Sequence, residues 1–302
     1  MIKAGLVVEG GGMRGVYAAG VLDFFMEKDL YFTNNYGVSA GACHLCSYLS
    51  KQNKRAFRVN VDYLQDKRYC SVRSLIKTGD LFGAEMLYDI IPNQLDLFDY
   101  DAFKNNNANF YSVITNINTG KPEYIKINDL KNDIIYIRAS SSLPFLAQNV
   151  KIKDEYYLDG GISDSIPIKK SIDDGNKKNV VILTRDKTYR KSKTSLIPFM
   201  KIKYKKYPNL INSMANRYIV YNQTLDFIEE LEKSQDVFVI RPKNPVKIGR
   251  TEKNKEKLEA LYNEGYNDAK DCYEELIKYL NIERSCSIFM LQLLYINYKI
   301  NI

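Results

Sequence analysis

The chain has 302 residues, 45% of them hydrophobic and 26% charged, with 16 glycines and 8 prolines. These proportions exclude collagen-like, disordered and low-complexity classes, and the length suits one large α/β domain with or without an appendage. A net charge of +8 leaves nucleic acid, anionic membrane or plain solubility open, while five cysteines are too few for a disulfide framework and read as reduced thiols of a cytoplasmic protein.

The apolar run Lys3 to Glu9 is too short for a secretory signal and suits a buried strand. It is followed by a glycine-rich turn, Gly10-Gly11-Gly12-Met13-Arg14-Gly15, and by Val16 to Lys28, whose apolar residues recur at helical spacing. Taken alone, the turn satisfies G-x-G-x-x-G through Gly10, Gly12 and Gly15, as a dinucleotide-binding loop would. Consecutive glycines serve equally to aim backbone N–H groups at an oxyanion, because no Cβ blocks close approach. The acidic residue a dinucleotide site wants about 20 positions further on would be Asp29, which precedes a strand instead of following one.

Tyr31 to Val38 is expected to be extended and Ala40 to Gln52 helical. Between them Gly37-Val38-Ser39-Ala40-Gly41 forms a G-x-S-x-G nucleophile elbow, in which crowding at the turn requires glycine two places either side of the serine. The only histidine is His44, five positions after Ser39, which puts it about 140° around the helix. It is expected to be a half-buried helix residue out of reach of Ser39, so a nucleophilic Ser39 would need a carboxylate base. Cys43-His44-Leu45-Cys46 superficially suggests a metal, but a structural zinc wants four ligands and no second pair accompanies them; no metal is expected.

Phe110 to Ile117 and Glu123 to Ile127 are strand-like around a Thr119-Gly120-Lys121-Pro122 turn. Asp129 to Arg138 is a helix with Asp129 available as its cap. Ala139-Ser140-Ser141-Ser142-Leu143-Pro144 then leads to Tyr156-Tyr157-Leu158 and Asp159-Gly160-Gly161. A carboxylate ending an extended run with two glycines behind it can approach another loop closely, which makes Asp159 the leading candidate for the base. Val180 to Thr184 is another buried strand.

Within 187–206 the chain gathers Lys187, Arg190, Lys191, Lys193, Lys201, Lys203, Lys205 and Lys206, interleaved with Tyr189, Phe199 and Tyr204. That mixture suits either a lipid headgroup layer or a solvated linker, and no nucleic-acid motif accompanies it. Helices are expected near Tyr218 to Ser234 and Lys253 to Leu280, with a strand at Val237 to Arg241. Residues 1–186 thus read as a catalytic-type domain and 187–302 as a basic linker and mainly helical extension packed on it. The longest apolar run, Cys286 to Ile296, is well short of the roughly 18 residues a membrane span needs.

The order G-G-G-x-R-G, then G-x-S-x-G, then D-G-G resembles the patatin-like phospholipases, and more closely the bacterial patatin-like esterases of this size, over about residues 4–186. The resemblance implies a three-layer α/β/α sandwich with a central, mostly parallel sheet, and a Ser–Asp dyad with no cofactor. Carried onto this chain, Ser39 is the nucleophile and Asp159 the base. The backbone of Gly10, Gly11 and Gly12 with Arg14 is the oxyanion hole, and Gly37, Gly41, Gly160 and Gly161 are the supporting glycines. The expected activity is hydrolysis of lipid esters, of the phospholipase A or lysophospholipase kind, with peripheral contact to anionic membrane through residues 187–206. The other readings carried forward are a catalytically quiet protein of the same fold that binds anionic membrane, and a dinucleotide-dependent oxidoreductase.

Overall fold

Strands that are apolar on both faces need helices on both sides to cover them, and such runs recur here. A computed structural model describes residues 1–282. Its strands are β1 (Ile2–Val8), β2 (Phe32–Val38), β3 (Asn109–Asn116), β4 (Pro122–Lys126), β5 (Val150–Ile152), β6 (Glu155–Asp159), β7 (Asn179–Ile182) and β8 (Val237–Ile240). They form one sheet in the order β5-β6-β3-β2-β1-β7-β8, with β4 also paired to β3. The central pairs β3–β2, β2–β1, β1–β7 and β7–β8 are parallel, and β4, β5 and β6 join antiparallel.

The helices are α1 (Val16–Glu27), α2 (Ala40–Leu49), α3 (Arg55–Val61), α4 (Val72–Thr78), α5 (Tyr100–Lys104), α6 (Leu130–Ser140), α7 (Ile168–Asp173), α8 (Ile197–Lys203), α9 (Pro208–Lys233), α10 (Lys255–Asp271) and α11 (Tyr273–Leu280). Alternation along the strands separates two cores. Leu6, Val8, Val180 and Ile182 pack with residues of α1, α2, α10 and α11. Val7, Val181 and Leu183 pack with Tyr221, Leu225 and Ile228 of α9. The expected three-layer α/β/α architecture is therefore present.

The segment after residue 186 adds more than helices, since β8 lies parallel to β7 and closes that edge of the sheet. Helix α9 begins at Pro208, ahead of the expected Tyr218, because proline is suited to the first helical turn. The expected long helix to Leu280 is divided at Cys272 into α10 and α11.

Helices α1 and α10 cross in backbone contact. A Cβ on Gly20 would lie 2.1 Å from the Tyr262 carbonyl oxygen, and one on Gly265 would lie 2.1 Å from the Tyr17 carbonyl oxygen. Flanking this contact, the Tyr17 hydroxyl donates to Asp268 at 2.9 Å and the Tyr262 hydroxyl donates to Asp23 at 2.7 Å. Among the described residues no helix is long and apolar enough to cross a membrane. The apolar run 286–296 and the remainder of the C-terminal segment lie outside them.

Candidate active site

The register on β3 brings the two motifs together. One edge of β3 is taken by β4, which pairs Val113 with Tyr124 and Ile114 with Glu123. The other edge is shared end to end. Strand β2 runs along it as far as Val38↔Val113, and β6 takes over at Asp159↔Ile114. Ser39, the residue after β2, and Asp159, the last of β6, meet where those strands abut and line the same pocket.

Ser39 sits at φ 55°, ψ −125°, a conformation that costs a non-glycine residue about 1–3 kcal/mol and persists only where its surroundings impose it. The elbow glycines supply the room. A Cβ on Gly37 would meet the Ala42 Cα at 2.6 Å, and one on Gly41 would meet the Val8 carbonyl oxygen at 2.4 Å. The Ser39 N–H donates to the Ser140 hydroxyl at 2.9 Å, and that hydroxyl donates to the Val113 carbonyl at 2.6 Å. The serine run before D-G-G therefore holds the elbow from the β3 side.

Asp159 is buried, with Oδ1 accepting from the Gly161 N–H at 2.7 Å. Burial pushes its carboxyl above the usual range; Arg217, the Ser39 hydroxyl and the Gly161 N–H act against that by favouring the charged form. Oδ2 has no partner with full hydrogen-bond geometry. Gly160 lets this strand end lie on β3, since a Cβ there would be 2.1 Å from the Val113 carbonyl oxygen.

The glycine-rich turn lies against the elbow. A Cβ on Gly10 would be 2.7 Å from the Val38 oxygen and 2.8 Å from the Ser39 Cβ. Gly12 adopts φ +58° with its Cα facing the Arg250 backbone, and the Met13 N–H donates to the Arg250 carbonyl at 3.0 Å. Gly10, Gly11, Gly12 and Arg14 all face the pocket that holds Ser39. Strand β2, whose end would carry the ribose-binding acid of a dinucleotide site, instead ends at Val38 and passes into Ser39.

His44 departs from the half-buried position expected of it. It is fully buried on α2, close under Gly15, where a Cβ would come 2.7 Å from its Nε2. Burial lowers its pKa to about 4 and keeps it neutral. Tyr204, which the sequence places in a stretch suited to a lipid headgroup layer or a solvated linker, is buried instead and packs edge-on to Phe145.

Sequence reasoning missed several pocket residues. Glu9 directly follows β1 and is buried; it accepts from the Tyr221 hydroxyl at 2.6 Å and from the Thr184 N–H at 2.7 Å. Arg185, Arg217 and Arg250 reach the pocket from separate segments that carry no motif. Lys191 lay within the basic stretch, but nothing local says that it turns inward to sit 4.1 Å from the Tyr221 ring centroid. Its pKa is lowered to about 7, first by burial and then by Arg217.

Two spaces meet at the serine. One, about 430 Å³ with its open mouth, is polar and bounded by the residues just described. The other, about 770 Å³, is mostly apolar and includes Met13, Val59, Phe82, Leu87 and Leu146. Gly12, Ser39 and Leu143 belong to both.

Comparison with known proteins adds the following. Residues 6–171 match the family model "Patatin-like phospholipase", and residues 207–281 match a "Domain of unknown function (DUF6363)". "Uncharacterized protein YjjU" of Escherichia coli K12 is 34% identical over 190 residues, covering 60% of this chain and 52% of that protein, so the chain spans about half the length of this relative. "Probable lipid hydrolase 463L" of Invertebrate iridescent virus 6 is 24% identical over 216 residues, covering 62% of this chain and 72% of the viral protein. The crystal structure of VipD from Legionella pneumophila aligns with a TM-score of 0.43 at 12% identity, over 92% of this chain and 66% of that one.

Proposed function

The chain belongs to the patatin-like phospholipase family, and from that premise we propose that it is a serine acyl hydrolase cleaving carboxylic ester bonds of lipids through a Ser39–Asp159 dyad. The observation that carries this reading is the junction on β3, which sets an elbow serine beside a buried carboxyl at the meeting of a polar and an apolar space.

In the reaction Asp159 takes the Ser39 proton as Oγ attacks the ester carbonyl. The N–H groups of Gly11 and Gly12, within the Gly10 to Gly15 turn, hold the tetrahedral oxyanion, an effect of about 10²–10³-fold per donor. Arg14 adds positive charge beside them. Protonated Asp159 gives that proton to the departing oxygen, the alcohol leaves, and water then attacks the acyl-serine with Asp159 again as base, the proton returning to Ser39 Oγ as the acid is released. Burial supports that role, because a carboxyl raised from its ordinary value is a stronger base near neutral pH. The buried, neutral His44 is given no part in it.

Peripheral contact with anionic membrane is assigned to α8 and its flanks, where Phe199 and Ile202 are exposed beside Lys201, Lys205 and Lys206. The test is covalent labelling with a fluorophosphonate, read by intact mass. Wild type is expected to take one adduct at Ser39, Ser39→Ala none, and Asp159→Asn to label far more slowly. Labelling of Asp159→Asn at the wild-type rate would remove the carboxylate from the mechanism.

A further inference from the structure

The polar space beside Ser39 is far more cationic than ester hydrolysis requires. Arg14, Arg185, Lys191, Arg217 and Arg250 converge on it from four separate stretches of chain, against the two carboxyls Glu9 and Asp159. Among the described residues none of the five forms an ion pair. Glu9 is already committed to Tyr221 and Thr184, and Asp159 to Gly161. Arg14 is only 7% exposed, and the Nε atoms of Arg14, Arg185 and Arg217 are buried with no hydrogen-bond partner.

Gathering like charges in this way is unfavourable for the free protein. Burial first, and then neighbouring cations (Arg185 on Arg14, Arg217 on Lys191, Arg250 on Arg217), push Arg14, Lys191 and Arg217 below their ordinary pKa values. A bound anion would relieve both the repulsion and the unpaired donors. A quaternary ammonium would not: it would meet like charge, and the two rings best placed to receive it, Tyr189 and Tyr221, already carry Arg185 at 4.5 Å and Lys191 at 4.1 Å.

We propose, resting on the acyl-hydrolase reading above, that this chamber seats the terminal phosphate of a lipid headgroup while the acyl chain lies in the adjoining apolar space, so that the substrate is a phosphomonoester lipid of the lysophosphatidate class. A phosphomonoester brings a charge of about −1.5 to −2 and three acceptor oxygens, which suits five cations without an ion-pair partner better than a neutral glyceride or a zwitterionic head. Ser39 lies at the boundary of the two spaces, where the ester of such a molecule falls, between its phosphate and its chain. Arg185, Lys191, Arg217 and Arg250 are thereby assigned to headgroup selection, which no sequence motif gives them.

The test is equilibrium binding to the Ser39→Ala protein by calorimetry, below micellar concentration. The ligands are octanoyl lysophosphatidate, octanoyl lysophosphatidylcholine, monooctanoylglycerol and inorganic phosphate. Lysophosphatidate is expected to bind about tenfold or more tightly than the neutral glyceride of the same chain, with the phosphocholine lipid behind it. Arg250→Gln and Lys191→Gln, each made in the Ser39→Ala background and checked by melting temperature, are expected to shrink that ratio severalfold. Equal binding of glyceride and lysophosphatidate, or a ratio unmoved by both substitutions, overturns the proposal. Inorganic phosphate binding as tightly as the lipid overturns it too, since the ligand would then be free phosphate. The binding result stands whether or not wild type is labelled by fluorophosphonate, so failure of the hydrolase reading is seen separately.

Discussion

Ser39 keeps its positive φ through a short relay: its N–H is held by the Ser140 hydroxyl, which is anchored in turn on Val113. Removing that hydroxyl leaves a buried N–H without its partner, at a cost of about 1–3 kcal/mol, and loosens the elbow where geometry matters most. Ser140→Ala is therefore expected to lower kcat on simple esters by about tenfold with KM little changed; a change confined to KM would place Ser140 outside the positioning of Ser39. The raised carboxyl of Asp159 has a second, thermodynamic reading. The folded protein keeps that proton in a pH range where the unfolded chain has released it, so stability declines as pH rises from the ordinary Asp value, about 3.9, through the raised one, and the penalty then stays. Asn at this position keeps the acceptor for Gly161 and has no charge to bury. Asp159→Asn is expected to be inactive yet to melt at least as high as wild type at pH 8, with the advantage shrinking toward pH 4. Equal destabilisation at both pH values would refute the account.

At the scale of elements, what is local is legible in the sequence. The β1–turn–α1–β2–elbow–α2 succession follows from apolar runs separated by glycines, and Asp129 caps α6 as expected, accepting from the Lys131 N–H at 3.1 Å. What joins Ser39 to Asp159 is not legible in the same way. It depends on β2 and β6 sharing one edge of β3, a pairing of distant segments that no motif encodes. The cationic pocket is hidden for the same reason, since Arg185, Arg217 and Arg250 are single residues in unremarkable surroundings. The basic stretch shows both sides of this. Its composition suggests a surface, but only the structure separates the inward Lys191 and the buried Tyr204 from α8, which leaves Phe199 61% and Ile202 74% exposed. If α8 rests on lipid, Phe199→Asp with Ile202→Asp should sharply reduce cosedimentation with anionic vesicles, and raising salt should weaken wild-type binding by screening its lysines. Binding unaffected by both would place the contact elsewhere.

For the whole molecule, the match to the family model ends at residue 171, but the sheet does not. Its last parallel strand is β8, and α10 covers α1, the helix launched by the glycine-rich turn. That turn is itself tied to the chain just before α10, through Met13 and Arg250. A protein ending at residue 186 would expose the β7 edge and the apolar face of α1, and is expected to show no cooperative thermal transition by circular dichroism, whereas residues 1–282 should melt in one step. A cooperative melt from the short chain would make the C-terminal third dispensable for folding. The crossing of α1 and α10 carries a consequence for genetics. What faces Gly20 and Gly265 is in each case a peptide carbonyl, which is present whatever side chain its residue bears. No substitution at Tyr17 or Tyr262 can make room for a methyl group there, so a suppressor screen on Gly265→Ala should find no compensating change at the facing residue, and the same-site revertant should dominate what is recovered.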